Sequence, residues 1–157
     1  MKCSVLGKQV WLHMVYGIAG NNKEKFWEEF VNTLDDNVEH IILEDLNLIQ
    51  EDIDVWYADA NCTGSNKKAS EKSIMFLTNT SFIDIFRQIH AESRKYSFFI
   101  RDTDKISFIY KSRIDLCFVT GKIRHAIYAI EYLEMTKFAP DHCFIKCIIK
   151  MRKKGLN

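Results

Sequence analysis

Hydrophobic and polar positions alternate along the chain in short blocks that predict the strands and helices of an α/β domain. The most apolar block, residues 41–43 with Val38 before it, predicts a strand buried on both faces. This block ends abruptly in Glu-Asp-Leu-Asn at 44–47. Because side chains two apart in a strand point the same way, Asp45 and Asn47 are expected to project together. Such an ending fits a ligand site at a strand end and also a local Asx turn.

The same pattern predicts the elements on either side of this strand. Residues 9–17 are rich in apolar, β-branched and aromatic side chains, which predicts a strand. Residues 23–35 place apolar side chains three and four positions apart, which predicts a helix packed against a sheet. A second helix is predicted over 70–78, and the polar stretch 48–68 before it is expected to be a long loop.

The second half of the chain is predicted to consist mainly of strands. Their predicted spans are 95–101, 107–110, 112–120 and 142–151. Residues 124–135 fit strand alternation and helical spacing alike, so both structures stay open there. We assign one domain to residues 9–151 and a basic C-terminal tail to residues 152–157.

Composition and charge narrow the class of protein. A chain of 157 residues, 47% hydrophobic and 27% charged, is typical of one soluble globular domain. The net charge of +1 gives no overall field that favours or disfavours a nucleic-acid partner. The chain has no apolar run long enough for a bilayer and no signal-peptide segment, so we expect an intracellular protein of the nucleus or cytoplasm, not a secreted one. The 5 cysteines lack paired spacing and are expected to be free thiols.

Polar clusters stand at the ends of several predicted strands. Tyr16 lies at the end of the first strand, and the Glu-Asp-Leu-Asn segment at 44–47 lies at the end of the next. Ser-Arg-Ile-Asp at 112–115 comes just before the apolar run 116–119, and Pro-Asp-His at 140–142 comes just before the closing strand. Each cluster alone fits a turn or a cap, but their order and spacing together form a pattern typical of one protein superfamily.

With these motifs in this order, the chain resembles the endonuclease/exonuclease/phosphatase superfamily, which has the DNase I-like fold. Within it, the chain looks most like the endonuclease domain of LINE-type (non-LTR) retrotransposons. Two further segments, Phe-Ile-Asp-Ile-Phe-Arg at 82–87 and Tyr-Ser-Phe at 96–98, are similar to family segments. The resemblance implies an α/β fold in which two sheets pack as a sandwich between flanking helices.

The resemblance also implies a site for phosphodiester hydrolysis. In such a site, Asp45 would orient or deprotonate the attacking water. Asn47 would hydrogen-bond the phosphate as a neutral donor, and the hydroxyl of Tyr16 would contact it as well. These roles supply the nucleophile and the charge stabilisation that the reaction requires.

The remaining implied roles fall on the second half of the chain. Asp115 would hold the imidazole of His142, which would donate to a phosphoryl oxygen. Asp141 would be an oxygen ligand of Mg²⁺ or Mn²⁺, and an ion held by so few protein ligands would bind weakly. Arg113 is expected to be structural or to contact the nucleic-acid backbone.

Some features depart from the family pattern. The family domain has an N-terminal section that supplies an asparagine and a metal-binding glutamate, and the match here begins after it, so the resemblance implies a domain truncated at its N-terminus. Glu44 and Pro140 stand where the family has Gly and Ser. Strand alternation places Glu44 on the face opposite to Asp45, so we do not expect Glu44 to replace the missing ligand.

The leading hypothesis is a divergent, truncated, metal-dependent endonuclease domain of retrotransposon origin, weak or inactive as it stands. DNA is the implied partner, a reverse transcriptase domain would accompany it in a full-length element, and neither a membrane nor another protein partner is indicated. Two alternatives stay open. One is a catalytically inactive remnant with a structural or nucleic-acid-binding role, and the other is a phosphatase or lipid phosphodiesterase of the same superfamily.

Overall fold

The computed structural model describes residues 1–5, 7–20, 22–59, 66–103, 107–133 and 141–150. The strands are β1 (Lys2–Val5), β2 (Lys8–Met14), β3 (Glu39–Asp45), β4 (Val55–Tyr57), β5 (Phe82–Asp84), β6 (Phe98–Arg101), β7 (Phe108–Ser112), β8 (Asp115–Thr120), β9 (Ile127–Leu133) and β10 (Phe144–Ile149). The helices are α1 (Lys23–Asn32), α2 (Asn66–Asn79) and α3 (Ile85–Ile89), with 3₁₀ turns at Asp52–Asp54 and Arg124–Ala126. The predicted tail at 152–157 and Pro140 lie outside the described residues.

The described strands form a five-stranded, a three-stranded and a two-stranded sheet. The five-stranded sheet has the order β1-β2-β3-β8-β5, which places the apolar β3 in its centre. β2 and β3 run parallel, as the intervening helix α1 allows, and the other pairs are antiparallel. The end of β3 therefore lies beside the start of β8.

Both faces of the five-stranded sheet are covered, and alternating residues of its strands supply two cores. Ile42 packs with Trp27 of α1 and Leu77 of α2 on one face. Ile41 packs on the opposite face with Phe86 of α3 and Ile130 of β9. The fully buried Trp27, which belongs to the apolar stripe expected for α1, anchors that helix on the sheet.

The three-stranded sheet has the order β4-β7-β6. Phe98 at the start of β6 forms an isolated antiparallel bridge with His142, just before β10. The antiparallel pair β9 and β10 packs on the five-stranded sheet through Ile130 and Ile145. The backbone bridge between Phe98 and His142 thereby places these two motif segments side by side.

Some local predictions were wrong. The stretch 48–68, expected to be a loop, contains a 3₁₀ turn, the short strand β4 and the start of α2. A strand of three residues is too short to show alternation, and the carboxylate of Asp54 made the segment look solvent-exposed although Asp54 is fully buried. The ambiguous stretch 124–135 holds β9, whose pairing with β10 decides for a strand. None of the described helices is long and apolar enough to cross a membrane.

Candidate active site

Two carboxylates meet where β3 ends and β8 begins. Asp45 and Asp115 are directly opposed in the antiparallel pairing, and each is only 7% exposed. The backbone N–H of Leu46 donates to the carbonyl of Ile114 at 2.9 Å, which fixes the two segments side by side. Strand pairing thus brings together motifs that are seventy residues apart in the sequence.

Both carboxylates of this pair have raised pKa values, and burial is the main cause. Burial raises the pKa of Asp45 to about 6, and the charges of Asp115 and Glu44 act in the same direction. Burial also raises the pKa of Asp115, while hydrogen bonds from Ser97 and His142 oppose that rise. A carboxylate with a pKa near 6 is well suited to accept a proton at neutral pH.

His142 completes a hydrogen-bonded pair with Asp115. Its Nδ1 lies 3.1 Å from the Oδ2 of Asp115, and its side chain is 28% exposed. The ring of Phe98 packs against the imidazole, with 4.9 Å between ring centroids. Because Nδ1 is engaged by Asp115, the nitrogen of His142 that can meet a ligand is Nε2.

These groups line one cavity of about 350 Å³. Its lining residues are Met14, Tyr16, Leu43, Glu44, Asp45, Asp115, His142, Cys143, Phe144 and Ile145. Tyr16 is exposed at the rim, and the following residue, Gly17, donates its N–H to the carbonyl of Asp45 at 2.7 Å. A Cβ at Gly17 would lie 2.1 Å from the carbonyl oxygen of Leu46, so only glycine permits this close approach.

Asn47 does not project together with Asp45 as strand alternation predicted. The strand ends at Asp45, and Asn47 has a φ of +52°, in the left-handed region, where the alternation of a strand no longer applies. Its N–H donates to Oδ1 of Asp45 at 3.0 Å, so the Asx-turn interpretation describes the local backbone. Its Nδ2 donates to the carbonyl of Gly17 at 2.7 Å. Asn47 lines a neighbouring cavity, of about 330 Å³, with Lys23 and Tyr110.

Glu44 also departs from the alternation expected of a strand. Its φ is +124°, a conformation that favours glycine and is strained for a side chain with a Cβ. The expectation that Glu44 would face away from the site is not met, since Glu44 lines the same cavity as Asp45 and His142. The resemblance implies a glycine at position 44, and Glu44 occupies that position in a backbone conformation that favours glycine.

No protein-family model matches the sequence, and no curated protein matches it. Solved structures do resemble it. An AP endonuclease from Archaeoglobus fulgidus superposes with a TM-score of 0.65 at 17% identity, over 94% of this chain and 63% of that chain. The AP endonuclease LMAP from Leishmania major gives a TM-score of 0.68 at 17% identity, over 92% of this chain and 51% of that one. The 3′-5′ exonuclease NExo from Neisseria meningitidis gives a TM-score of 0.63 at 19% identity, over 95% of this chain and 64% of that chain.

The chain has the DNase I-like fold. The superpositions cover nearly all of the chain, and this confirms the α/β fold expected from the motifs. The DNase I-like domain described here spans only about half to two-thirds of the length of these neighbours, between 51% and 64%.

A divalent ion at this site would find few protein donors. Among the described ranges of the chain, no three His, Cys, Asp or Glu side chains converge as they do in a fully protein-ligated metal site. Mg²⁺ requires less, since it binds through one or two carboxylates with waters and substrate phosphates. Asp141 is exposed and precedes His142 in the chain, but it is not among the residues that line the cavity of Asp45 and His142.

A buried ion network below the site was not foreseen from the sequence. Arg113 is fully buried, and it contacts Asp54 at 2.6 and 2.9 Å and Asp84 at 2.7 Å. Burial alone would lower the pKa of Arg113, but Asp84 and Asp54 raise it overall. Arg87 also pairs with Asp54. The available signal for Asp54 was an acid between Ile53 and Val55 in an otherwise polar stretch.

Proposed function

We propose that the domain hydrolyses phosphodiester bonds in DNA with a divalent metal ion, as a divergent endonuclease of low activity. The observation that carries this proposal is the buried pair Asp45 and Asp115, with His142 hydrogen-bonded to Asp115 on the wall of one cavity. A carboxylate that can take a proton and an imidazole that can give one, in a shared cavity, are the groups that hydrolysis requires.

Each residue has a role that follows from its surroundings. Asp45 orients the attacking water and accepts its proton, because its pKa of about 6 permits ionisation at neutral pH without making the carboxylate unreactive. His142 donates from Nε2 to a phosphoryl oxygen, and Asp115 holds the ring through Nδ1. Tyr16 contacts the phosphate through its hydroxyl at the rim. Asn47 lines the neighbouring cavity, where it donates one amide hydrogen to Gly17 and keeps the second for another phosphate of the substrate chain.

Asp141 would hold Mg²⁺ or Mn²⁺ in this scheme. When bound, the ion supplies Lewis-acid stabilisation of the phosphoryl oxygens. With so few protein donors, its affinity depends on waters and on the substrate phosphate, so we expect millimolar metal to be needed. The order of the motifs supports an origin in a LINE-type element, in which a reverse transcriptase domain would accompany this one.

The cavity around Asn47 supports a nucleic-acid substrate. It combines Lys23 with the aromatic side chains of Tyr57, Phe98 and Tyr110. The aromatic side chains suit a stacked base or sugar, whereas Lys23 is buried and its ammonium donates to the carbonyl of Asn47. A structural neighbour, the 3′ phosphatase NExo, is bound to a product DNA hairpin. DNA is therefore the substrate class that we propose here.

A nicking assay on supercoiled plasmid tests the proposal. We expect slow nicking with Mg²⁺ or Mn²⁺, reduced by about 10²-fold or more in Asp45→Asn and in His142→Ala. Tyr128→Ala, on the exposed part of β9, is the matched control and should nick as the wild type does. Nicking that persists at the wild-type rate in both site variants would contradict the proposal.

The second candidate is a nucleic-acid-binding domain without catalysis. The observation that favours it is the lack of three converging metal donors among the described residues. Under this alternative, duplex DNA binds with equal affinity in the presence of Mg²⁺ and of EDTA, and no nicking rises above the metal-free background. Hydrolysis of p-nitrophenyl phosphate without plasmid nicking would instead favour the phosphatase alternative.

A further inference from the structure

Ser97 is fully buried at the junction of the segments that carry Asp115 and His142. Its backbone N–H donates to the carbonyl of Ser112 at 2.8 Å, and its carbonyl accepts the N–H of Cys143 at 2.7 Å. One residue therefore hydrogen-bonds to the chain on both sides of the candidate site, just before Asp115 and just after His142.

The side chain of Ser97 adds a second set of contacts on the Asp115 side. Its Oγ accepts the N–H of Ile114 at 3.1 Å and the N–H of Asp115 at 3.0 Å. With two N–H groups donating to the oxygen, the hydroxyl hydrogen is left for an acceptor. A hydrogen bond from Ser97 to the carboxyl of Asp115 lowers the pKa of that carboxyl against the effect of burial.

The residues that follow Ser97 extend this connection toward His142. Phe98 forms the isolated bridge with His142 and packs its ring against the imidazole. The N–H of Phe99 donates to the carbonyl of Asp141 at 2.9 Å. Any shift of Ser97 relative to β8 would consequently change the separation of Asp115 and His142.

We propose that Ser97 is a positioning residue that sets the distance and orientation of the Asp115–His142 pair. The proposal rests on the proposed function for its kinetic consequences, but its structural part stands on the hydrogen bonds alone. The hydroxyl oxygen is the essential group, because it accepts the backbone N–H groups of both Ile114 and Asp115. Threonine preserves that oxygen, whereas alanine removes it.

Kinetics separate positioning from mere stability. In a nicking assay, Ser97→Ala should lower kcat at least about tenfold while KM stays within about twofold, because a misplaced catalytic group slows the chemical step more than it weakens binding. Ser97→Thr should restore kcat. The matched control is Ser70→Ala, since Ser70 is equally buried and its Oγ accepts a backbone N–H, that of Ile49, away from Asp115.

A spectroscopic measurement keeps the proposal testable whether or not the domain is active. In ¹H–¹⁵N NMR spectra, the amide proton of Asp115 should move upfield in Ser97→Ala, should stay near its wild-type position in Ser97→Thr, and should not move in Ser70→Ala. If Ser97→Ala fails to fold, Ser97→Cys takes its place, because its weaker acceptor should give a smaller upfield shift.

The outcomes distinguish this proposal from the proposed function. If the wild-type protein does not nick DNA, the endonuclease proposal is contradicted. If the Asp115 amide proton still shifts upfield in Ser97→Ala, the role of Ser97 in positioning the pair stands. An unchanged Asp115 amide in Ser97→Ala would overturn the role of Ser97 directly. Equal losses of kcat in Ser97→Ala, Ser97→Thr and Ser70→Ala would also overturn it, since they would indicate general destabilisation.

Discussion

At the scale of single residues, the carboxylate of Asp45 is destabilising. Asp45 is 7% exposed and faces Asp115, and burial raises its pKa to about 6 from the ordinary 3.8. A raised pKa means that the folded protein binds the proton more tightly than the unfolded chain does. The carboxylate therefore lowers stability above pH 6, and the penalty disappears as the pH falls below 3.8.

Asp45→Asn should therefore stabilise the protein at neutral pH. We expect the free energy of unfolding to rise by about 2 kcal/mol at pH 7.5, because the variant never ionises at this position. The gain should shrink as the pH is lowered and should be near zero at pH 3. Urea denaturation of both proteins across this range measures the difference. A gain that is absent at pH 7.5, or that does not depend on pH, would contradict the assignment of the raised pKa.

Glu44 adds a second unfavourable feature, which is conformational. Its φ of +124° is a backbone conformation that glycine adopts without strain. We expect Glu44→Gly to raise the free energy of unfolding by about 1 kcal/mol, since relief of strain exceeds the added chain entropy of glycine. Glu44→Gln keeps the strain and removes only the charge, so it should gain less. The free energies of unfolding are measured by urea denaturation. Equal gains in the two variants would show that the effect comes from the charge of Glu44 and not from backbone strain.

At the scale of elements, buried ion pairs fix the loops that carry the site. Asp84 caps α3 by accepting the N–H of Phe86 at 2.9 Å, and its other oxygen contacts Arg113 at 2.7 Å. Arg113 also donates to the carboxylate of Asp54, the last residue of the 3₁₀ turn Asp52–Asp54. Through Arg113, α3 and the 3₁₀ turn are tied to the segment that leads into Asp115.

Removal of the central guanidinium should be strongly destabilising. Arg113→Ala leaves the buried carboxylate of Asp84 without its cation and that of Asp54 with Arg87 alone, which should cost about 3–5 kcal/mol. Lys25→Ala is the comparison, because its ion pair with Glu29 is exposed and should contribute less than about 0.5 kcal/mol. Thermal or urea unfolding of both variants measures the two costs. Similar small losses would show that the network does not hold the site.

At the scale of the whole molecule, periodic segments were predictable and the connections between them were not. Residues 41–43 and the stripe of α1 follow simple periods, so the central strand and its helix could be read from the sequence. β4 has three residues, and its existence depends on pairing with β7, which lies far along the chain. The left-handed backbone of Asn47 likewise depends on tertiary contacts, so strand alternation gave the wrong neighbours for its side chain.

The candidate site shows the same division. The motifs around Asp45, Asp115 and His142 were visible as residue types at strand ends, and their order along the chain led to the resemblance. Ser97 lay in the Tyr-Ser-Phe segment at 96–98, but nothing in the sequence indicated its contacts with Asp115, and Asp54 looked like an ordinary polar residue, because both roles arise from burial. Burial of a polar group is a property of the assembled fold, and it is expressed in the hydrogen bonds that the group makes.

The most direct test of the account is the pH dependence of DNA nicking with saturating Mg²⁺ or Mn²⁺. If Asp45 is the group that accepts the proton of the attacking water, the rate should rise with an apparent pKa near 6 and level off above pH 7. Asp45→Asn should remove both the rise and most of the rate. A rate that is independent of pH between 5 and 8, or that has the same profile in Asp45→Asn, would contradict the central claim.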